Sequence, residues 1–570
     1  MADSDELIGI PGSPIAYWTS TALRNVFKIA EKAGDYAEFK HGMSTGKNDA
    51  VLRMWPEVSF DKIAFFSETE EAFRKSGKRF VPYNKGGEVR KWYGNQEYVL
   101  GYDEKYDKLM DSFSGHRHDN RQTYFKENIS WSKVSSTGLA LRYFPQGFVY
   151  DVAGCSAFVK EPYIRYILAF FNGKVKDVTV AAMSPTMNFE VGQLRNAPII
   201  IDESKRSLIE SIAGDSIEKS KNDWDSFETS WDFEKHPLVL LHKDRDNAET
   251  TRFAKSRMEK FGSISWHFDK WSEECLTRFN ELKLKEEELN RIFIDIYGLQ
   301  GELTPEVDDK DVTVRLADKE RDIRSLISYL VGVAMGRYSL DTPGLAYAGG
   351  EWDASKYVSY QPDDDGIIPI YNGIGMEDGL TTVLINLIKQ IYGEDTYRQN
   401  IDFIAEALGK NNNESSEETL NRYLNDGFYA DHLKVYQKRP IYWLFTSGKK
   451  AGFKCLIYMH RYNSDTLARI NAKYFLPEST RMKNELEELN GKVAHSEGRE
   501  KLKYEKERQN LVAAYNEAIE YGQVLDHMAN RYISIDLDDG VKENYAKFQG
   551  IEIVTDGGSK VKKDLLAPLK

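Results

Sequence analysis

Seven cations crowd the short run from Arg74 to Lys91, against a single acid, Glu88. The chain around them is acidic, with a formal net charge of -13. The run continues as FVPYNKGGEVRKWYGNQEY (Phe80–Tyr98), where aromatics (Tyr83, Trp92, Tyr93) and amides (Asn84, Asn95, Gln96) are threaded between the cations. That mixture suits a nucleic-acid surface. Lys and Arg neutralise phosphates and release counterions. Arg, Asn and Gln make paired contacts to guanine or adenine edges. Gly86-Gly87 allows a sharp turn or a close approach of backbone to ligand. On an acidic body, a basic patch confines a negative ligand to one face.

A length of 570 residues predicts three or four domains. Hydrophobic residues at 41% and aromatics at 12% are enough for ordered cores. The longest helical apolar stretch, Ile323–Met335, carries Arg324 and is too short to span a bilayer. The start, MADSDELIGI, has no basic region of the signal-peptide kind. Cys155, Cys275 and Cys455 are far apart and form no C-x-x-C pair, so no disulfide framework is expected. A reducing cytoplasm and no membrane partner are the expectation.

The patterning predicts a mixed α+β chain. Residues 1–14 read as a linker. Residues 15–202 read as an α/β domain: a helix over Ile15–Ala33 with Thr21 as N-cap, β-like runs at Gly138–Phe144, Gly147–Val152 and Ser156–Val159, an apolar helix at Tyr163–Phe171, and a closing strand at Pro198–Ile201. Residues 203–300 read as a helical spacer, polar over Ser204–Lys235 and amphipathic over Ser263–Ile296. A second mixed α/β domain covers 301–476, with helices at Glu320–Met335 and Thr381–Tyr392, a strand-like run at Ile441–Phe445, and a low-complexity loop at Asn411–Glu418. Residues 477–570 read as a helical hairpin and tail. Its helices are Arg481–Leu489 and Lys501–Met528, with Leu511, Tyr515, Ala518, Leu525 and Met528 on one face of the second. A packed surface helix is the alternative.

Several short motifs fail their context tests. Gly42-Met43-Ser44-Thr45-Gly46 matches G-x-S-x-G, but a nucleophile elbow needs a buried strand before it and a helix after it. The same residues are one short of a P-loop, and Asn48 stands where Ser or Thr would hold magnesium. A loop touching DNA backbone through Ser44, Thr45, Lys47, Asn48 and backbone N–H groups is favoured. Gly373-x-Gly375-x-x-x-Gly379 reads as a glycine-rich turn. His116-x-His118-Asp119 reads as a solvated loop rather than part of a metal site. Asp536–Gly540 opens like a calcium loop, but Lys547 occupies the twelfth position, which needs Glu. Ser132, Ser135, Ser136 and Thr137, with Arg142 nearby, could contact phosphate or a base edge; a turn leading into a half-buried strand is the alternative. Asn188-Phe189 reads as a DNA-facing loop or a plain connection. Lys449, Lys450, Lys454, His460 and Arg461 form a second basic group, read as a backbone contact or a solvated face.

The segments GMSTGKNDAVLRMW, FVPYNKGGEVRKWYGNQEYV, ISWSKVSSTGLALRYFPQGFVYDV and SPTMNFEVGQL occur in that order. Together they resemble the target-recognition region of adenine-specific DNA methyltransferases of the BREX phage-defence type, also called phage-growth-limitation methyltransferases. The layout is similar to the TaqI-like specificity domains of type IIG restriction–modification enzymes. Later segments extend the resemblance along nearly the whole chain: WDSFETSWDF, LTPEVDDKDVTVRLADKERDIRSLISYLVGVAMGRYSLD, GLAYAGG, FTSGKKAGFKCLIYMHRYNSDTLARI and VKENYAKFQGIEIV.

The resemblance implies double-stranded DNA as ligand, an N-terminal methyltransferase domain or subunit as partner, and contacts to other BREX proteins. Enzymes of this family hold a flipped adenine with an Asn-Pro-Pro-Tyr-type loop and use S-adenosylmethionine. This sequence has no Pro-Pro dipeptide, and it is expected to begin where the catalytic half would end. No catalytic residue, cofactor or metal is therefore assigned to it, and it is expected to be inactive alone. Asn84, Arg90 and Asn95 are the expected base readers, Lys47, Lys85 and Lys91 the expected phosphate contacts. Trp92, Ser132, Ser135, Ser136, Arg142 and Asn188 complete the expected interface. A non-enzymatic scaffold joining methyltransferase and helper proteins is the alternative function.

Overall fold

The stretch Phe80–Asn84, conspicuous in sequence for its flanking cations, is a β-strand buried at every position. The computed structural model describes residues 11, 19–183, 187–239, 263–554 and 558–569. The expected linker, Pro11 apart, and the start of the first expected helix lie outside the described residues. The chain divides into two compact units. The first takes Met1–Trp55, Lys62–Asp232 and Trp271–Ala317; the second takes Pro56–Asp61, Phe233–Lys270 and Asp318–Lys570. Helices and several small sheets alternate in both, which makes the class mixed α+β. Among the described residues no helix is long and apolar enough to cross a membrane.

The first unit holds two four-stranded sheets. The strands of these two sheets are β1 (Ala37–Lys40), β2 (Leu52–Met54), β3 (Phe80–Asn84), β4 (Tyr98–Gly101), β5 (Asn128–Trp131), β6 (Leu141–Phe144), β7 (Val149–Tyr150) and β8 (Ser156–Val159). One sheet runs β1-β8-β5-β6 and is antiparallel throughout, with Phe39 opposite Ala157 and Ile129 opposite both Ala157 and Tyr143. The other runs β2-β4-β3-β7, and its last pair is parallel. Strand β3 gains that second neighbour only from Tyr83 on. Pro82, just before, has no N–H to give to a doubly paired position.

Helix α1 (Thr21–Ile29) is capped by Ser20, whose Oγ accepts from the Leu23 N–H at 3.0 Å. The cap is thus one residue earlier than expected, and Thr21 is already helical. Helices α2 (Ile164–Asn172), α3 (Glu203–Asp225) and the later turns of α4 (Ile264–Ile296) contribute to one core with the antiparallel sheet. Trp131, Leu141, Ile167, Phe170, Ile212 and Phe293 are buried in it. The expected spacer of residues 203–300 is therefore divided: α3 and the part of α4 from Trp271 on are core of the first unit. Burial of such apolar faces contributes about 25 cal/mol per Å².

The second unit is built on a three-stranded antiparallel sheet of β9 (Ile367–Pro369), β10 (Tyr442–Thr446) and β11 (Lys454–Tyr458), in the order β9-β11-β10. Helices α5 (Lys319–Ala334) and α6 (Leu380–Tyr392) fall where apolar spacing predicts them. Asp318 caps α5 by accepting from the Arg321 N–H at 2.7 Å. The expected loop Asn411–Glu418 is in part a helix start. Ser415 and Glu418 form a capping box for the helix Ser416–Asp426. At the end of the chain, α7 (Leu476–His495) and α8 (Gly498–Ala529) pack against each other as a hairpin, both longer than expected. Ala518, Leu525 and Met528 are buried with Tyr521 and Val524, while Leu511 and Tyr515 are only half-buried.

Candidate nucleic-acid interface

Four of the segments singled out in sequence meet around residues 150–155 of the first unit. Backbone hydrogen bonds do the joining. The Met43 N–H donates to the Tyr150 carbonyl at 2.9 Å, and the Val152 N–H to the Met43 carbonyl at 3.0 Å. The fit is tight at Gly42, where a Cβ would lie 1.9 Å from the Tyr150 carbonyl oxygen. The Asp151 N–H donates to the Asn84 carbonyl at 3.0 Å. From the loop after β5, the Lys133 N–H donates to the Ala153 carbonyl at 2.9 Å. The loop at Asn188 then joins that one: the Phe189 N–H donates to the Lys133 carbonyl at 2.7 Å, and the Ser135 N–H to the Met187 carbonyl at 3.1 Å.

The convergent loops present few of the expected side chains to solvent. Lys47, Asn48, Ser136 and Asn188 are exposed; Ser44, Lys85, Lys91, Asn95, Ser132 and Ser135 are half-buried; Thr45, Asn84, Arg90, Trp92 and Arg142 are buried. Asn84 donates to Ser130 Oγ at 2.6 Å and accepts from the Gly86 N–H at 3.1 Å, so its amide is used in shaping the turn. Thr45 donates to Asn48 Oδ1 at 2.6 Å. Ser132 donates to the Gly87 carbonyl at 2.7 Å, and Asn95 to the Glu88 carbonyl at 2.8 Å. Asn188 donates to Glu190 at 2.8 Å.

The basic run is paired with acids, some one helical turn away and others distant in sequence, which corrects its reading as an open cationic surface. Arg74 pairs with Glu70 and Asp107, Lys75 with Glu71, Arg79 with Asp103 and Lys85 with Asp151. Arg90, expected to read a base, instead donates to Asp223 on α3 and to the Tyr93 carbonyl at 2.9 Å, and lies over the Trp224 ring. Lys91, expected on phosphate, reaches Glu286 on α4 at 2.7 Å, and the Trp92 indole N–H donates to the other oxygen of the same carboxylate at 2.7 Å. Buried charges need such partners, because desolvation costs several kcal/mol per ion. Burial would raise the Asp223 carboxyl, but Arg315 and Arg90 hold it below its ordinary value.

Among the described residues Arg142 has no carboxylate hydrogen-bond partner. It donates to the carbonyls of Glu88 and Arg90, each at 3.4 Å, and to Ser132 Oγ at 3.3 Å. Burial, with Arg90 beside it, pushes it down to about 10. It therefore braces the Glu88–Arg90 loop from within. Trp92 has φ +71°, a strained setting for a bulky residue. Glu286 and the backbone of Leu141 and Tyr143 hold it there.

Only a four-residue helical turn, Asn48–Val51, follows the G-x-S-x-G match, so no nucleophile elbow forms. In the second basic group, Lys454 donates to the Asn425 carbonyl at 2.9 Å, Arg461 to the carbonyls of Asp363 and Asp364, and His460 is buried with Nε2 2.8 Å from the Pro56 carbonyl. Only Lys449 and Lys450 of that group are exposed. His116 and His118 are largely shielded from solvent rather than part of a solvated loop, and sequence reasoning paired them with the wrong acid. Asp111, not Asp119, groups with them. Burial, then Arg121 and His116, hold His118 below its ordinary value.

No family model matches the chain. Two curated relatives align with nearly all of it. It is 40% identical over 555 residues to the adenine-specific methyltransferase PglX of Lacticaseibacillus casei (strain Zhang). It is 36% identical over 570 residues to the adenine-specific methyltransferase BrxX of Escherichia coli O9:H4 (strain HS). Each alignment covers 95% of this chain and 44% of the relative, so the chain spans less than half the length of either.

Proposed function

From its likeness to two adenine-specific methyltransferases, we propose that this chain is the DNA-recognising portion of an enzyme of that kind, acting in BREX-type phage defence. The carrying observation is an alignment through 95% of the chain, in a sequence without the Pro-Pro dipeptide of the adenine-holding loop. The convergence of four loops on one side of the first unit supports the reading. Such loops on a rigid scaffold are where recognition is usually placed. We assign the exposed Lys47 and the half-buried Lys85 to phosphate, and Asn48, Asn188, Ser135 and Ser136 to base edges or sugar. Asn84, Arg90, Lys91, Trp92 and Arg142 act in support, holding the loops in place. The methyl donor S-adenosylmethionine and the flipped adenine are assigned to a catalytic portion outside these residues. That portion, duplex DNA and other BREX proteins are the proposed partners.

The test is fluorescence anisotropy on labelled duplex across a potassium chloride series. Lys47→Ala should reduce the magnitude of the slope of log K against log salt by about 1. Asn188→Ala should weaken binding with little change in slope. Binding that ignores salt, or that neither substitution alters, would sink the assignment.

A further inference from the structure

His116 and His118 meet beside the loop that carries Ser44, and the chemistry between them is unfinished. The His116 side chain is 5% exposed. Its Nδ1 lies 2.8 Å from the Ser44 carbonyl oxygen, which can only accept, so Nδ1 carries a proton and Nε2 is the ring nitrogen left for a ligand. That Nε2 is buried with no hydrogen-bond partner, and so is His118 Nδ1. The two rings lie edge to face with centroids 4.4 Å apart. Asp111 closes the third side, its Oδ1 3.7 Å from His116 Nε2. One donor atom from each of the three residues lies within 4.8 Å of the other two. Buried polar atoms are rarely left unmatched, and two imidazole nitrogens facing a carboxylate make a ligand set for a cation.

We propose that Asp111, His116 and His118 bind one divalent transition cation of the zinc type. Nitrogen donors favour zinc over magnesium or calcium. Zinc bonds to nitrogen and oxygen are about 2.0–2.2 Å, which sets tetrahedral donors roughly 3.3 Å apart. His116 Nε2 and Asp111 Oδ1, now 3.7 Å apart, reach that separation by a small swing of Asp111, whose side chain is 68% exposed. Three protein ligands leave a fourth position for water. The Ser44 carbonyl orients His116 through its other ring nitrogen, as hydrogen-bonded supports do for metal-binding histidines. Arg121, a nearby cation, is paired with Glu70. The bound ion would fasten residues 111–118 to the Ser44 loop, because Ser44 and Arg117 already exchange backbone hydrogen bonds at 3.0 Å. The proposal stands apart from the DNA assignment.

Isothermal titration of the full chain, stripped with EDTA, with Zn2+ and separately with Mg2+ tests it. One Zn2+ per chain is expected, with affinity at least about tenfold lower in Asp111→Asn and in His118→Gln, and no Mg2+ uptake. Hydrogen exchange should slow at residues 42–48 when Zn2+ is added. Circular dichroism checks folding, and Asp111→Asn alters an exposed side chain, so a lost site is not a lost fold. Absence of Zn2+ binding, or the same affinity in both variants as in the parent chain, overturns the proposal.

Discussion

Arg90 shows how a surface-like residue becomes an interior one. Its partner Asp223 lies 133 residues away and the partner of Lys91, Glu286, lies 195 residues away. No local pattern announces either, which is why the sequence reads these cations as open. Arg90→Ala should therefore cost stability, about 3 kcal/mol for breaking a buried pair from one side, read as a lower urea midpoint. The loss applies with no DNA present. A second residue-scale expectation concerns acid. Burial pushes His236, His432 and His460 of the second unit down to about 3. The unfolded chain takes up these protons below about 6.5 while the folded chain refuses them. Stability is thus complete above that pH and falls as pH drops toward 3, by up to about 1.4 kcal/mol per pH unit for each histidine. Urea midpoints at pH 7.5, 6 and 5 check this. His432→Gln, which keeps an acceptor for the Ile441 and Tyr442 N–H groups, should flatten the dependence.

Elements were legible where burial follows local periodicity. The strand Ser156–Val159 and the helices Leu380–Tyr392 and Ile264–Ile296 lie within a residue of their expected limits. Strand β3 escaped because Pro82 and the flanking Arg79 and Lys85 give it the look of a loop, while its burial comes from β4 and β7, which join it from elsewhere in the chain. The NNNESSEE run escaped for the opposite reason: its polar residues are themselves the helix cap. Of the candidate site, the loops were legible and the orientation of their side chains was not. Two glycines test how tightly elements meet. A Cβ on Gly522 of α8 would lie 2.3 Å from Phe475 Cε1. Gly522→Ala should cost about 1–3 kcal/mol by overpacking, seen as a lower melting temperature, and Phe475→Leu should restore part of it. Gly42→Ala meets the Tyr150 backbone, 1.9 Å from its carbonyl oxygen, before it meets the ring at 2.7 Å, and trimming that ring should bring no such rescue.

At the scale of the whole molecule, a net charge of -13 repels DNA everywhere except where cations are left unmatched. The proposed interface is therefore small, and with few lysines on phosphate its salt dependence is shallow. The make-up of the first unit has a further consequence. It draws on Trp271–Ala317 as well as on residues before Asp232, so a piece cut at the expected boundary of 202 lacks Asp223, Glu286 and Phe293. Residues 19–202 alone should aggregate, whereas residues 19–317 should give a cooperative melt by circular dichroism. On a ribosome adding about 5–20 residues per second, β3 is made long before α4 can cover Trp92. For roughly ten to forty seconds the nascent chain carries Lys91 and Trp92 without the Glu286 that receives them, a window in which a chaperone, or a polyanion such as RNA, meets the basic run as the sequence alone portrays it.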